Sequence, residues 1–121
     1  MTKKVMIADD ASFMRQLIKD VLVKFGYEVV AEAESGEEAA LKYQQTRPDV
    51  VTMDIVMKGE NGIDAIKNII KFDPQAKILV ISAMGQQAMM VEAIQAGASG
   101  FVVKPFKAEM LLMEVKRVLG E

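Results

Sequence analysis

Several short apolar segments of this sequence end in residues that can do chemistry. The run VVTM ends in a single carboxylate, Asp54, and the first apolar segment, VMIA, ends in Asp9 and Asp10. Two later segments are followed by the hydroxyl of Ser82 and the ammonium group of Lys104. Carboxylates brought together repel one another unless a cation or a pKa shift relieves them. Carboxylate oxygens favour Mg²⁺, and such a set suits phosphoryl transfer with Asp54, central and single, as nucleophile.

The composition excludes several other chemistries. The 121 residues include no cysteine and no histidine, so disulfides, thiol catalysis and imidazole bases or ligands are excluded. The chain is 51% hydrophobic and carries a net charge of −2, which predicts one folded domain, residues 1–121, with no general attraction to DNA. No apolar run approaches the ~18 residues of a membrane span, and no export segment is recognisable. We therefore expect no membrane insertion and a cytoplasmic location.

The elements that must position these residues follow a regular pattern. Short apolar runs alternate five times with segments of helical period. The predicted strands cover 4–8, 28–33, 50–53, 77–81 and 100–103, and the predicted helices cover 12–25, 35–45, 62–71, 87–96 and 107–119. Residues 55–61 are predicted to form a loop. Strict alternation of strand and helix predicts an α/β fold with a five-stranded parallel sheet, and right-handed crossovers make it doubly wound.

The carboxyl ends of parallel strands lie on one edge of a sheet, where ligands bind. Singly, each candidate has an ordinary structural explanation, since Asp10 or Ser82 could cap a helix and Lys104 could be a solvated loop residue. Ser35, followed three residues later by Glu38, is assigned to a capping box instead of the site. An ordinary explanation would have to hold at four strand ends at once, so we favour a common site.

The sequence resembles response regulator receiver domains over its whole length. The resemblance rests on the segments IADDASFMR, GYEVVAEAESGEEA, PDVVTMDIVM, NGIDAI, AKILVISAMGQQ and AIQAGASGFVVKPF. Within that family the pattern is most similar to single-domain chemotaxis regulators of the CheY type. The resemblance implies a flavodoxin-like (βα)5 fold with strand order 2-1-3-4-5.

The resemblance also implies roles for the acidic residues. Asp54 would accept a phosphoryl group from the phosphohistidine of a histidine kinase. Mg²⁺ would be bound by Asp10, Asp54 and the backbone carbonyl of Val56, with Asp9 acting mainly through water. The absence of histidine is consistent with a chain that receives phosphate from another protein.

The remaining implied roles concern the phosphoryl group and the response to it. Ser82 and Lys104 would contact the phosphoryl group, and the Lys104–Pro105 bond would be cis. Ser82 would move toward the phosphate and Phe101 would turn inward, which changes the surface of the fourth helix, fifth strand and fifth helix. The expected output partner is a flagellar motor switch protein, with a separate phosphatase as a further partner, and we expect a monomer.

Three positions affect the expected behaviour of the phosphorylated form. Many relatives have proline where this chain has Lys58, so we expect a looser loop after Asp54. The positions two residues after Asp54 and Ser82 tune phosphoryl lifetime in the family, and here they are Val56 and Met84. Because neither side chain can position an attacking water, we predict slow self-dephosphorylation.

Other functions stay open at the level of sequence. A Mg²⁺-dependent hydrolase with an aspartate nucleophile usually has an acid two residues later, where this chain has Val56. A flavodoxin-like cofactor binder would need a Ser/Thr/Gly-rich loop after the first strand, where Asp9 and Asp10 would repel phosphate. Within the receiver hypothesis, a phosphate sink, a relay protein or a receiver cut from a longer regulator is also possible.

Overall fold

The computed structural model describes residues 2–57 and 60–121. We number the five strands of its main sheet and its helices in chain order. The strands are β1 (Lys4–Ala8), β2 (Glu28–Ala33), β3 (Val50–Asp54), β4 (Ile78–Ala83) and β5 (Gly100–Lys104). The helices are α1 (Ser12–Lys24), α2 (Gly36–Thr46), α3 (Gly62–Phe72), α4 (Gln87–Gln95) and α5 (Ala108–Leu119). All neighbouring strands are parallel, in the order β2-β1-β3-β4-β5, which confirms the predicted fold and strand order.

Alternation of side chains along the strands produces two apolar layers, one on each face of the sheet. In β1, Val5 and Ile7 belong to one layer, whereas Met6 and Ala8 belong to the other. The first layer is completed by apolar residues of α1 and α5, and the second by residues of α2, α3 and α4. The central strand β3 is buried along its whole length, as expected for a strand covered on both faces.

Local sequence signals explain two of the helix starts. Ser35 precedes α2, and its side chain accepts from the N–H of Glu38 (3.2 Å), as the capping box predicts. The Glu38 carboxylate accepts from the N–H of Glu34 (2.8 Å), one residue earlier than an ideal capping box. Asn61 caps α3 by accepting from the N–H of Ile63 (2.9 Å).

The segment after β3 differs from the predicted loop. Val56–Met57 pairs in antiparallel fashion with Glu60–Asn61, because the buried Ile55 and Met57 side chains hold the segment against the core. The N–H of Gly62 then donates to the carbonyl of Ile55. A side chain at residue 62 would lie 2.6 Å from the backbone oxygen of Asp54, so glycine is required for this close approach.

Three strands extend further toward their carboxyl ends than the sequence predicted. Asp54 and Lys104 are the last residues of β3 and β5, and Ser82 lies within β4. The ladder continues because Asp54 pairs with Ile81, and Ser82 pairs with Val103. These three candidates therefore stand on hydrogen-bonded backbone and not on loops. The Lys104–Pro105 peptide bond is cis.

Candidate functional site

Strand pairing brings the predicted site residues to one edge of the sheet. β3 lies between β1 and β4, and Asp54 pairs with Ile81, which precedes Ser82. Asp9 extends the pairing of β1 with β2, because its N–H donates to the carbonyl of Ala33 (3.0 Å). The candidates that are far apart in sequence are thus fixed next to each other by the backbone.

Three carboxylates and one ammonium group meet at this edge. One carboxylate oxygen each from Asp9, Asp10 and Asp54 lies within 4.8 Å of the others. The Nζ atom of Lys104 lies 3.3 Å from an oxygen of Asp9 and 3.3 Å from an oxygen of Asp54. One cation therefore serves two buried acids, and the geometry joins all four residues into one cluster.

Asp54 is a buried acid with a raised pKa. Its residue surface is only 7% exposed, and burial raises the pKa of its carboxyl group above the usual range. The Lys104 ammonium group lowers this pKa, the neighbouring Asp9 raises it, and the hydrogen bond from the N–H of Val56 (3.2 Å) lowers it. The net effect is a raised pKa, so the folded structure disfavours the ionised form of Asp54.

The donor set fits Mg²⁺. Three carboxylates opposed by one ammonium group leave an excess of two negative charges within this group of four. All available donors are hard oxygens, which Mg²⁺ prefers. For Val56, the contact that the structure records is its N–H donating to Asp54, so the use of its carbonyl as a ligand stays a prediction.

Arg15 holds the loop that carries the two adjacent aspartates, and sequence reasoning missed it. Its Nη1 atom donates to the backbone carbonyl of Asp9 (2.7 Å). The same guanidinium pairs with Glu32 (3.1 Å) and Glu34 (3.5 Å) at the end of β2. Asp9 in turn accepts from the N–H of Ala11 (2.9 Å). A basic residue one helical turn into the helix after the acidic pair is the signal that could have indicated this role.

The two predicted switch residues differ in their surroundings. Ser82 is fully buried, and its Oγ atom has no hydrogen-bond partner among the residues that the structure describes. Phe101 is 46% exposed on β5 and borders two surface grooves, one toward α4 and one toward α5. Phe101 is therefore not a core residue. Its ring is partly exposed, and the grooves on either side leave space for the ring to change position.

Neither of the residues predicted to tune phosphoryl lifetime has a polar side chain, and among the described residues only Val56 of the two has a recorded contact with the cluster, through its N–H. Val56 is half-buried in the short antiparallel pair after β3. Met84 is 76% exposed in the loop after β4. The predicted effect of Lys58 on the loop lies outside the described residues.

Comparison with known proteins identifies the family of this chain. The family model for the response regulator receiver domain matches residues 5–116, and the chain belongs to this family. Among curated proteins it is similar to the chemotaxis protein CheY of Thermotoga maritima, with 57% identity over 98% of both chains. It is also similar to the chemotaxis protein CheY of Bacillus subtilis, with 54% identity over 99% of this chain and all of that protein.

Solved structures give the same result for the fold. The response regulator domain of Thermotoga maritima CheB superposes with a TM-score of 0.91 at 32% identity, covering 100% of this chain and 98% of that one. The Borrelia burgdorferi CheX–CheY–BeF3–Mg complex contains a chain that superposes with a TM-score of 0.90 at 33% identity, covering 96% and 88%. In the part of the chain that the structure describes, no helix has the length and apolar character to span a membrane.

Proposed function

We propose that this protein is a phosphoaspartate switch of a two-component chemotaxis system, in which Asp54 accepts a phosphoryl group from a histidine kinase. The observation that carries the proposal is the shared ammonium group of Lys104, 3.3 Å from both Asp9 and Asp54. A buried carboxylate next to a fixed cation and two further acids is suited to nucleophilic attack on phosphorus. The similarity to two chemotaxis proteins CheY supports the signalling context.

The transfer step uses few groups of the protein. An oxygen of Asp54 forms a bond to phosphorus while the bond from phosphorus to the histidine nitrogen of the kinase breaks. The leaving nitrogen keeps the electron pair, and the ring leaves as neutral imidazole when its second nitrogen already carries a proton. Lys104 neutralises charge that develops on the phosphoryl oxygens, and the buried hydroxyl of Ser82 can donate to one of them.

The cofactor part of the proposal follows from the donor set. Mg²⁺ would be held by Asp10, Asp54 and the carbonyl of Val56, with Asp9 contributing through water. When bound, Mg²⁺ supplies positive charge that relieves repulsion between the carboxylates and the incoming phosphoryl group. The carboxylates would position the ion, and the strand ends fix the backbone that carries Asp54.

The output follows from a change around Ser82 and Phe101. Movement of the Ser82 hydroxyl toward the phosphoryl group allows the half-exposed ring of Phe101 to turn inward between α4 and α5. A flagellar motor switch protein is the proposed partner for the altered surface. The chain acts in this proposal as a single cytoplasmic receiver domain and as a monomer. Because Val56 and Met84 make hydrolysis of the phosphorylated form slow, we propose that a separate phosphatase removes the phosphoryl group.

Acetyl phosphate tests the phosphorylation directly. The wild-type protein with acetyl phosphate and Mg²⁺ should gain one phosphoryl group by intact mass, and excess EDTA should suppress the gain. Asp54→Asn should gain none, whereas the control Asp20→Asn, at an exposed position of α1, should behave like the wild type. A missing adduct in the wild type, or an equal adduct in Asp54→Asn, would contradict the proposal.

A further inference from the structure

The loop between β4 and α4 is closed by a side chain. The N–H of Ala83 donates to the Oε1 atom of Gln86 (2.8 Å). Gly85 lies between them with a φ of +91°, a conformation that glycine adopts without strain. Gln86 directly precedes α4 but does not cap it, because its side chain reaches back to the end of β4 instead.

This hydrogen bond lies beside the proposed phosphorylation site. Asp54 pairs with Ile81, and the next two residues of β4 are Ser82 and Ala83. Both offer a donor at the carboxyl end of the strand: the hydroxyl of Ser82 and the N–H of Ala83. The hydroxyl has no partner among the described residues, whereas the N–H is occupied by the Gln86 carboxamide.

We propose that Gln86 is a positioning residue that holds the N–H of Ala83 until a phosphoryl group on Asp54 takes that N–H over. The inference rests on the proposed function of Asp54 as phosphoacceptor. An anionic phosphoryl oxygen is a stronger acceptor than a neutral carboxamide oxygen, so the exchange favours the phosphorylated form. Because Gln86 is the residue before α4, its release transmits the change at Asp54 to the start of that helix.

The exchange has a measurable cost for the resting protein. Phosphorylation must first break the hydrogen bond between Ala83 and Gln86, which opposes binding of a phosphoryl mimic by roughly two- to tenfold, the range of one net hydrogen bond. Removing the carboxamide should therefore tighten binding of the mimic. A residue that only supported the fold would weaken binding when it is removed.

Beryllofluoride with Mg²⁺ is the probe, and two variants act in opposite directions. Gln86→Ser introduces a residue that favours helix starts but cannot reach Ala83 in the same way, and it should bind beryllofluoride roughly two- to tenfold more tightly. Gln86→Glu offers a charged acceptor to the same N–H, and it should bind the probe more weakly. Gln87→Glu, one residue further into α4 with an exposed side chain, measures the effect of charge alone.

The binding of beryllofluoride by the variants decides whether Gln86 has the proposed role. Tighter binding by Gln86→Ser, together with a larger loss in Gln86→Glu than in Gln87→Glu, supports the proposal. Wild-type or weaker binding by Gln86→Ser, or equal losses in the two glutamate variants, would overturn it. In the wild type, beryllofluoride should also shift the NMR resonance of the Gln86 carboxamide carbon toward its solvent-exposed value. An unchanged resonance would overturn the proposal even if a variant failed to fold.

Failure of the proposed function gives a different pattern. If Asp54 is not the phosphoacceptor, beryllofluoride will bind neither the wild type nor Asp54→Asn, or it will bind both equally. If only the role of Gln86 is wrong, the wild type will bind the probe, Asp54→Asn will not, and Gln86→Ser will show no gain.

Discussion

At the carboxyl ends of the strands, Asp54 and Asp9 share the single ammonium group of Lys104. At the amino ends, by contrast, each of two buried tyrosines donates to its own carboxylate. Tyr27 donates to Glu121 (3.1 Å), and Tyr43 donates to Asp73 (2.8 Å).

The pKa directions show the same contrast. At the amino ends, the hydroxyl of Tyr43 lowers the pKa of the Asp73 carboxyl group, so the ionised acid is favoured there. At the carboxyl ends, burial raises the pKa of Asp54, and the ionised acid is disfavoured. At one end of the sheet, two tyrosine hydroxyls are hydrogen-bonded to carboxylates, whereas the other end holds acids whose mutual repulsion a bound cation would relieve.

The largest expected effect is at the shared cation. Lys104→Met removes the positive charge between Asp9 and Asp54, and we expect the rate of phosphorylation by acetyl phosphate to fall by about a hundredfold. Lys107→Met, at an exposed position just before α5, should stay close to the wild-type rate. A rate for Lys104→Met within threefold of the wild type would show that the shared ammonium group is not needed.

Arg15 tests whether the acidic loop needs its anchor. Arg15→Gln loses the charged donor to the Asp9 carbonyl, and the affinity for Mg²⁺ should fall about tenfold, as is typical when a group supporting the ligands is removed. Magnesium titrations followed by the amide resonance of Ala11 measure this. The control Lys19→Gln removes only a pairing with Glu32 (3.6 Å). Equal affinities for Arg15→Gln and Lys19→Gln would contradict a specific role for Arg15.

The buried charge of Asp54 should reduce stability in the absence of metal. Asp54→Asn is expected to raise the free energy of unfolding at pH 7 in EDTA by about 1 kcal/mol. Because the pKa of Asp54 is raised by folding, wild-type stability falls as pH rises from the unfolded pKa through the folded one. The gain in Asp54→Asn should therefore vanish at low pH. Urea melts across this range check the sign, and a variant less stable than the wild type at pH 7 would contradict it.

The smallest expected effect is at the amino ends. Burial and the Glu121 carboxylate raise the pKa of Tyr27 from 10.0 to about 12. Tyr27→Phe should lower the free energy of unfolding by about 0.5 kcal/mol at neutral pH, since one hydrogen bond is lost. The wild-type advantage is fully present below pH 10, and it should disappear between pH 10 and pH 12. A difference between the two proteins that does not change over this range would exclude the hydroxyl as its source.

Much of the fold could be predicted from the sequence because its elements are local patterns. The period of apolar residues places all five helices and the five main strands within a few residues. Strand order depends on pairing between distant segments, so it came from the family resemblance. The antiparallel pairing of Val56–Met57 with Glu60–Asn61 was missed, since a two-residue strand leaves no periodic signal.

Some residues of the candidate site could be predicted from the sequence and others could not. Asp9, Asp54 and Lys104 could be proposed because each stands at the end of an apolar run, and parallel strands bring such ends together. Arg15 and Gln86 were not proposed, because their roles depend on which backbone group a long side chain reaches after folding. Sequence spacing alone does not determine that reach.

The most direct test of the central claim locates the phosphoryl group chemically. After treatment with acetyl phosphate and Mg²⁺, borohydride reduces an aspartyl phosphate to homoserine, and peptide mass spectrometry identifies the converted residue. We predict homoserine at residue 54, dependent on acetyl phosphate. Conversion at another aspartate, or no conversion at residue 54 in a protein that carries the phosphoryl adduct, would contradict it.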